Sequence, residues 1–463
     1  MNVALVDLGS LMLCASRRST VLPNMGLVLR FAEPLTATEL RAEAERLASS
    51  PFGLGRRLAR ARIPGARPRW VTAPDPPPVE VAPPRRSPRE LGMWLADELS
   101  VRHDPERGAG WRLAATTDVE GSMVVALTLN HLFGTGRDIA TTLYGGDLLE
   151  DGGGVNGSAG SNGALDGASR YGLRAEIADS ASRLRRGTAG LMRLSREVAE
   201  LPVRRRPHGE LADVGKPLAA LRDRDRSRGR SSSRRVGATV RADLEAWNAA
   251  AERHGGNTTA LQLATCANLL RDARRTRGAS PERPIRLIVP VDLADRHEMP
   301  RASATVGPVR LTSATVLLPG GSARYGDLGE LREQLRQAVQ AAIEEVRVTG
   351  RVPVAPGVVD AMRLLPDAVT SRVMFGVHAH YDGAVSNVGP LPPGIMRIGR
   401  HVATDAFLMA FPLGSDLAIG FATHGTSVAL GAVADPSRLG AGPPLRERIA
   451  HELGQWGIPA SAW

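Results

Sequence analysis

Apolar residues in this chain follow two rhythms, short unbroken runs and spacings of three to four, and they predict alternating strands and helices. Residues 27–31 (LVLRF) read as a strand. Thr36 with Glu39 three residues later forms a capping box, and Leu40, Ala44 and Leu47 then repeat at helical spacing. The proline-rich stretch 64–88 reads as a loop, and 89–99 as a helix with Leu91, Leu95 and Leu99 on one face. Residues 123–129 (MVVALTL) form a compact apolar run rich in β-branched types, a buried strand that runs straight into Asn130-His131-Leu132-Phe133-Gly134-Thr135-Gly136. Ile139 and Leu143 suggest a helix, 150–170 is a flexible Gly/Ser/Asn stretch, and about 172–200 is mostly helical.

The second half is more regular. A strand is expected at 236–242, then a helix carrying Leu244, Trp247 and Ala251, stopped by Gly255-Gly256. A helix over about 258–275, strands at 285–291 and 311–318, and a long helix capped by Asp327 and Glu330 follow, the last bearing Leu331, Leu335, Val339 and Ile343. Strands are expected at 372–378, 383–388, 406–412 and 417–423, and a final helix at about 444–455. Strands and helices mix in both halves without strict βαβ alternation, which points to two α/β sandwich domains with mixed sheets rather than a dinucleotide-binding fold. The 463 residues exceed one ordinary core and fit two units of roughly 200 residues. The expected division is 1–175, a helical and basic linker at 176–235, and 236–463.

Composition narrows the partners. Hydrophobic residues make up 43% and charged residues 23%, as in a globular protein. Aromatic residues, at 4%, are too few for a surface that stacks single-stranded bases, and none is interleaved in the basic stretch 204–235, so no nucleic-acid partner is expected. The net charge is +11 and Lys216 is the sole lysine, so the excess is almost all arginine and favours anionic partners: phosphates, an acidic protein or a membrane surface. The stretch 204–235 reads either as a solvated linker or as a landing site for phosphates or lipid headgroups. Two cysteines, Cys14 and Cys266, suggest neither a disulfide framework nor a zinc site, and Cys266 reads as a buried small hydrophobe. The apolar N-terminus lacks a basic n-region and carries Asp7, and no apolar run approaches the roughly 18 residues of a membrane span. A cytoplasmic protein is expected, with any membrane contact peripheral.

The chemistry-bearing motifs are few. There is no GxSxG elbow, Walker A sequence, HExxH or CxxC. GGGVNG at 152–157 matches GxGxxG, but no strand leads into it and low complexity explains its glycines. His131 is different. It follows a buried strand directly, so a sheet holds its backbone while the ring can meet a cleft, and its near-neutral pKa suits a general base. Gly134 and Gly136 flank Thr135 and leave room for a substrate. His378 and His380 would point to one face of a strand, either as a polar cluster or as groups facing a cleft.

NHLFGTG resembles the HHxxxDG motif of wax ester synthase/diacylglycerol acyltransferases, nonribosomal peptide condensation domains and their relatives. Other segments resemble the wax ester synthase group in the same order: LSVRHDPERGAGWRLA at 99–114 ("pLD…PlWR"), HGGNTTALQLATCANLLR at 254–271 ("hGgtvNDvvlAa…lR") and IRLIVPVDLADR at 285–296 ("PVslR"). VGPVRLTSATVLLP at 306–319 ("GN…LP") and SNVGP at 386–390 ("SNVPGP") complete the series, which runs from about 25 to 455. The resemblance implies two chloramphenicol-acetyltransferase-like α/β sandwich domains arranged as a V around a central tunnel.

It also implies an acyltransferase that moves an acyl group from a thioester, on coenzyme A or a carrier protein, to a hydroxyl or amine. His131 matches the second motif histidine, the base, and Gly136 the motif glycine. Ser386 and Asn387 match a tunnel-lining segment, and His378 and His380 precede them. Arg296 matches the arginine that pairs with the motif aspartate, whose place Thr135 takes. Asn130 replaces the first histidine, Thr259-Ala260 the "ND" pair and Pro308 the asparagine of "GN". Oxyanion donors are expected among the N–H groups near Gly134–Gly136 and the Asn387 side chain. No bound cofactor and no metal are implied. The second half points to lipid ester formation ahead of natural-product tailoring. The alternative is a catalytically inactive binding module that keeps the cleft.

Overall fold

The computed structural model describes residues 13, 17, 24–49, 54–73, 75–84, 86–134, 173–200, 235–293, 311–349, 367, 369–370, 380–391, 393–410, 412 and 414–462. The first elements are β1 (Asn24–Phe31), α1 (Ala37–Ser49), β2 (Arg56–Ala59), β3 (Arg69–Thr72), β4 (Glu80–Val81), α2 (Pro88–Leu99), β5 (Trp111–Thr117), β6 (Met123–Asn130) and α3 (Leu173–Glu200). Then come β7 (Val236–Asp243), α4 (Leu244–Arg253), α5 (Thr258–Thr276), β8 (Ile285–Asp292), β9 (Leu311–Leu318), α6 (Leu328–Thr349) and β10 (Gly383–Pro390). The chain closes with β11 (Arg397–Ile398), β12 (His401–Val402), β13 (Asp405–Ala410), β14 (Leu417–His424), β15 (Ser427–Ala434), α7 (Pro436–Leu439), α8 (Leu445–Gln455) and β16 (Ala460–Ala462).

Local signals account for most helix ends. Thr36 and Glu39 form the expected capping box, with Thr36 N–H donating to Glu39 Oε2 at 2.8 Å and Glu39 N–H to Thr36 Oγ1 at 3.2 Å. Leu40, Ala44 and Leu47 are buried behind it. Ser87 and Glu90 make a second box ahead of α2, and Asp327 caps α6. Ile343, expected on the buried stripe of α6, is exposed.

Two mixed sheets result. The first has the order β13-β1-β6-β5-β4, antiparallel except where β4 meets β5. The second has the order β16-β7-β15-β14-β10-β8-β9, with β10 parallel to both β14 and β8. Trp247, Leu261, Leu331, Ile449 and Trp456 pack on the second sheet. Cys266 is fully buried among them, and burial pushes its thiol pKa up. Among the described residues, no helix is long and apolar enough to cross a membrane.

Several strands differ from the sequence reading. The proline-rich loop holds two short strands, β3 and β4, and Trp70 of β3 is buried. Prolines limit these strands to four and two residues. β15 carries no strand signal, because SVALGAVA is dominated by alanine and glycine, which have low strand preference. β13 lies beyond residue 236 yet joins the first sheet, with Met25 opposite Ala410 and Arg30 opposite Asp405. The expected helix near 139–143, the linker at 150–170, most of the basic stretch 204–235 and the expected strand at 372–378 lie outside the described residues.

β13 and α2 tie the sheets together. A Cβ added at Gly420 or Gly431 would stand 2.3 Å from the carbonyl oxygen of Leu408, so β13 crosses β14 and β15 backbone to backbone. A Cβ on Gly92 of α2 would lie 2.3 Å from the Gly237 carbonyl of β7. Leu91, Trp94, Leu95, Val28, Phe407, Met409, Ala429 and Val433 share one apolar cluster across this seam. Arg241 of β7 pairs with the buried Asp405 of β13 at 3.1 Å.

Gly431→Ala is expected to lower stability by about 1–3 kcal/mol, since the methyl would strike both the Leu408 carbonyl and Met409 Cγ. Gly454→Ala, on α8 with nothing within 4 Å of the added methyl, is expected to be neutral or stabilising. Urea midpoints of the two variants check both; equal midpoints would contradict the seam.

Candidate active site

β6 lies between β1 and β5 at the centre of the first sheet, and every one of its eight residues is buried. Met123, Val125, Leu127 and Leu129 face one cluster and Val124 and Ala126 the other, as strand alternation requires. At Asn130 the chain leaves the sheet and makes a 3-10 turn over His131–Phe133.

That turn is fixed from several sides. Asn130 is its cap: Oδ1 accepts from Leu132 N–H at 3.1 Å, Nδ2 donates to the His103 carbonyl at 3.2 Å, and its own N–H donates to the Gly110 carbonyl at 2.9 Å. Leu132 and Phe133 are buried in the cluster beside α1. Phe133 lies so close to Gly110 that a Cβ there would sit 2.4 Å from its ring. Arg56 donates to the Phe133 carbonyl at 3.2 Å while its guanidinium stacks 4.3 Å from the Trp70 ring centroid. Gly134 closes the turn at φ 151°, and its N–H donates to the His131 carbonyl at 3.4 Å. Between Met123 and Gly134, His131 alone is not buried. A fully buried strand and a pinned turn thus fix the backbone of His131, whose side chain is partly exposed although its ring Nδ1 is buried.

The motif departure at Asn130 is therefore structural, since a short amide serves as turn cap. The Gly134 N–H, expected as an oxyanion donor, is engaged within the turn. Thr135, Gly136 and Arg296 lie outside the described residues.

Ser386 and Asn387 lie on β10, which pairs in parallel with β14 until the register shifts between Asn387 and Gly389. The shift is a β-bulge-like irregularity in the ladder. Asn387 Oδ1 accepts from Gly389 N–H at 2.9 Å, and Gly389 takes the positive φ of 79°. Asn387 Nδ2 donates to Thr259 Oγ1 at 3.4 Å, so the residue standing in the "ND" position meets the SNVGP segment at the start of α5. Val385 packs into the core of the second sheet, whereas Val388, within the register shift, packs into the same cluster as Leu132 and Phe133. The bulge sits where the two cores meet.

His380 is elsewhere. It occupies a turn ahead of β10, not a strand, and contacts the Arg286 guanidinium and the Tyr381 ring. Its partner Arg286 neighbours Leu287, which pairs with Gly383, four residues before Asn387 along β10. The structure does not bring it to Ser386 and Asn387; His378 lies outside the described residues.

His103 and Arg56 carry roles that sequence reasoning missed. Nothing local marks Arg56. His103 lies in the 99–114 segment, 5% exposed, and hydrogen-bonds Thr128 Oγ1 through Nε2 at 3.0 Å. Burial, aided by the nearby Arg112, holds its pKa down at about 4.

Solved structures share this fold. A wax ester synthase/diacylglycerol acyltransferase from Marinobacter aquaeolei VT8 is 16% identical with a TM-score of 0.51, over 98% of this chain and 100% of that one. The condensation domain of the Monacolin K polyketide synthase MokA is 13% identical with a TM-score of 0.52, over 98% of this chain and 95% of that one. The nonribosomal peptide synthetase FmoA3 is 16% identical with a TM-score of 0.52; the match covers 99% of this chain but 44% of that longer one. The chain thus has the fold that wax ester synthases and condensation domains share. No protein-family profile matches it, and no curated protein matches it by sequence.

The His103 ring generates a pH dependence. Its folded pKa lies below the ordinary 6.5, so the unfolded chain takes up a proton first as pH falls. Its contribution is complete above about pH 6.5 and is lost between there and about pH 4, at most about 3 kcal/mol. His103→Gln is expected to flatten this part of the curve. Urea midpoints at pH 7 and pH 4.5 measure it; parallel losses in both proteins would refute the assignment.

Proposed function

We propose that the chain is an acyltransferase that moves an acyl group from a thioester, carried by coenzyme A or a carrier protein, to a hydroxyl or amine, with His131 as general base. One observation carries this reading: His131 is the single residue between Met123 and Gly134 that is not buried, at the exit of a strand whose turn is held by Asn130 and Arg56. The shared fold supports it, since a relative with that fold bears the name of an acyltransferase. The three relatives have near-equal TM-scores, so the fold favours neither lipid ester formation nor condensation in natural-product assembly.

In this reading His131 removes the proton of the acceptor as its oxygen or nitrogen attacks the thioester carbonyl. The carbonyl oxygen gains the negative charge, and Asn387 Nδ2, whose amide is oriented by the Gly389 N–H on Oδ1, would donate to it. The C–S bond then breaks, and the imidazolium returns the proton to the leaving thiolate. Thioester and acceptor would reach the histidine from opposite faces of the seam between the two sheets, which would act as the two units expected from the sequence. Alignment of the two substrates would supply the proximity term.

Thiol release from a panel of acyl thioesters, with alcohols and amines as acceptors, tests the proposal. His131→Ala is expected to lower the rate by about 10²–10⁴-fold. Equal release by wild type and variant would end the catalytic role. Asn387→Ala is expected to lower kcat by about 10²-fold with little change in thioester KM; a change confined to KM would reassign Asn387 to binding.

A further inference from the structure

Beyond the His131 region the described residues contain a recess of about 210 Å³ at the far end of α5. That is room for roughly seven waters at about 30 Å³ each. Arg271, Arg274, Arg275 and Arg283 line it together with the backbone of Gly320 and Gly321, and no carboxylate does. We propose that this recess is a binding pocket for the phosphate monoester of a small molecule.

The charge supports that class of ligand. Arg274 pairs at 2.8 Å with Asp382, whose side chain is 3% exposed, and Arg283 reaches the same carboxylate at 3.5 Å. Arg275 pairs with Asp272 at 2.8 Å, and Asp272 also serves Arg448. Four guanidiniums therefore meet two carboxylates, an excess of two positive charges. A phosphate monoester carries about −1.5 to −2 near neutrality, whereas a diester carries one charge. Glu282, the neighbouring acid, is exposed and does not line the recess.

The walls are built independently of a ligand. Arg271 clamps one wall by donating to the carbonyls of Ala323 at 2.6 Å and Pro319 at 2.7 Å. Its buried Nε finds no acceptor among the described residues. A Cβ built on Gly278 or Gly321 would meet nothing within 4 Å, so the space over both is open. Basic residues suit the negative end of a helix, which explains Arg274 and Arg275 in the last turn of α5. It does not explain Arg283, which comes from the following loop to line the same recess. Guanidiniums with planar forks fit phosphate oxygens in pairs. Arg274 stands fifteen residues from Thr259, roughly 22 Å along the helix, so this pocket is separate from the Asn387 bulge.

Titration calorimetry of the full chain at constant ionic strength tests the proposal with inorganic phosphate, adenosine 3′,5′-bisphosphate and dimethyl phosphate. Saturable binding of the first two, at least about tenfold weaker for the diester, is expected. Arg275→Gln and Arg283→Gln replace exposed side chains, so the fold is kept, and each is expected to weaken binding about tenfold with an unchanged urea midpoint. His131→Ala is expected to bind as wild type does, which separates this result from the thioester reading. Absent saturable binding, equal affinity for the diester, or affinity unmoved in both arginine variants would overturn the pocket.

Discussion

Backbone lying on backbone is the constraint that organises this molecule. β13 completes the first sheet through its ladder with β1 and rests its other side on β14 and β15, at Gly420 and Gly431, where the Leu408 carbonyl leaves no space for a side chain. Gly92 and Gly237 make the same kind of contact between α2 and β7. A methyl at any of these positions would have to push two backbones apart rather than one side chain aside. The buried Asp405, paired with Arg241 across the seam, adds a charge that would be costly to leave alone.

The geometry of the candidate site follows from that seam. From Asn387 a continuous path of paired or touching strands runs through β10, β14, β13, β1 and β6 to His131. Val388, on the opposite face of β10 from Val385, packs into the core that also holds Leu132 and Phe133. The two segments that resemble acyltransferase motifs, far apart in sequence, thus abut one hydrophobic cluster. Precise placement of reacting groups needs rigid support of this kind.

Two of the departures from the motif, at Asn130 and Thr259, make local contacts of their own. Asn130 supplies with one short amide a turn cap and a tie to the 103 carbonyl. Thr259 meets Asn387 where the "ND" pair would stand. Charge is distributed in the same economical way. Among the described residues many arginines pair with carboxylates, as with Arg30 and Asp118 or Arg67 and Asp179. At the end of α5 they gather around an open recess.

Local pattern was enough for the longer helices among the described residues, the buried run before His131, the burial of Cys266 and the order of the motif-like segments. Capping boxes such as Thr36–Glu39, helical spacing such as Leu91–Leu95–Leu99 and an apolar run such as 123–129 act over a few residues, so they are legible one window at a time. Tertiary structure decided that Asp405–Ala410 belongs to the first sheet, that the alanine-rich 427–434 is a strand, and that His103 is buried. It also decided that His380 stands at the wrong end of β10 for Asn387. Each of these depends on contact between residues distant in the chain, Met25 with Ala410 or Gly431 with Leu408. Such contacts leave no periodic trace: the glycines that permit them look locally like any flexible residue, and only the backbone arriving from elsewhere shows why no side chain could stand there.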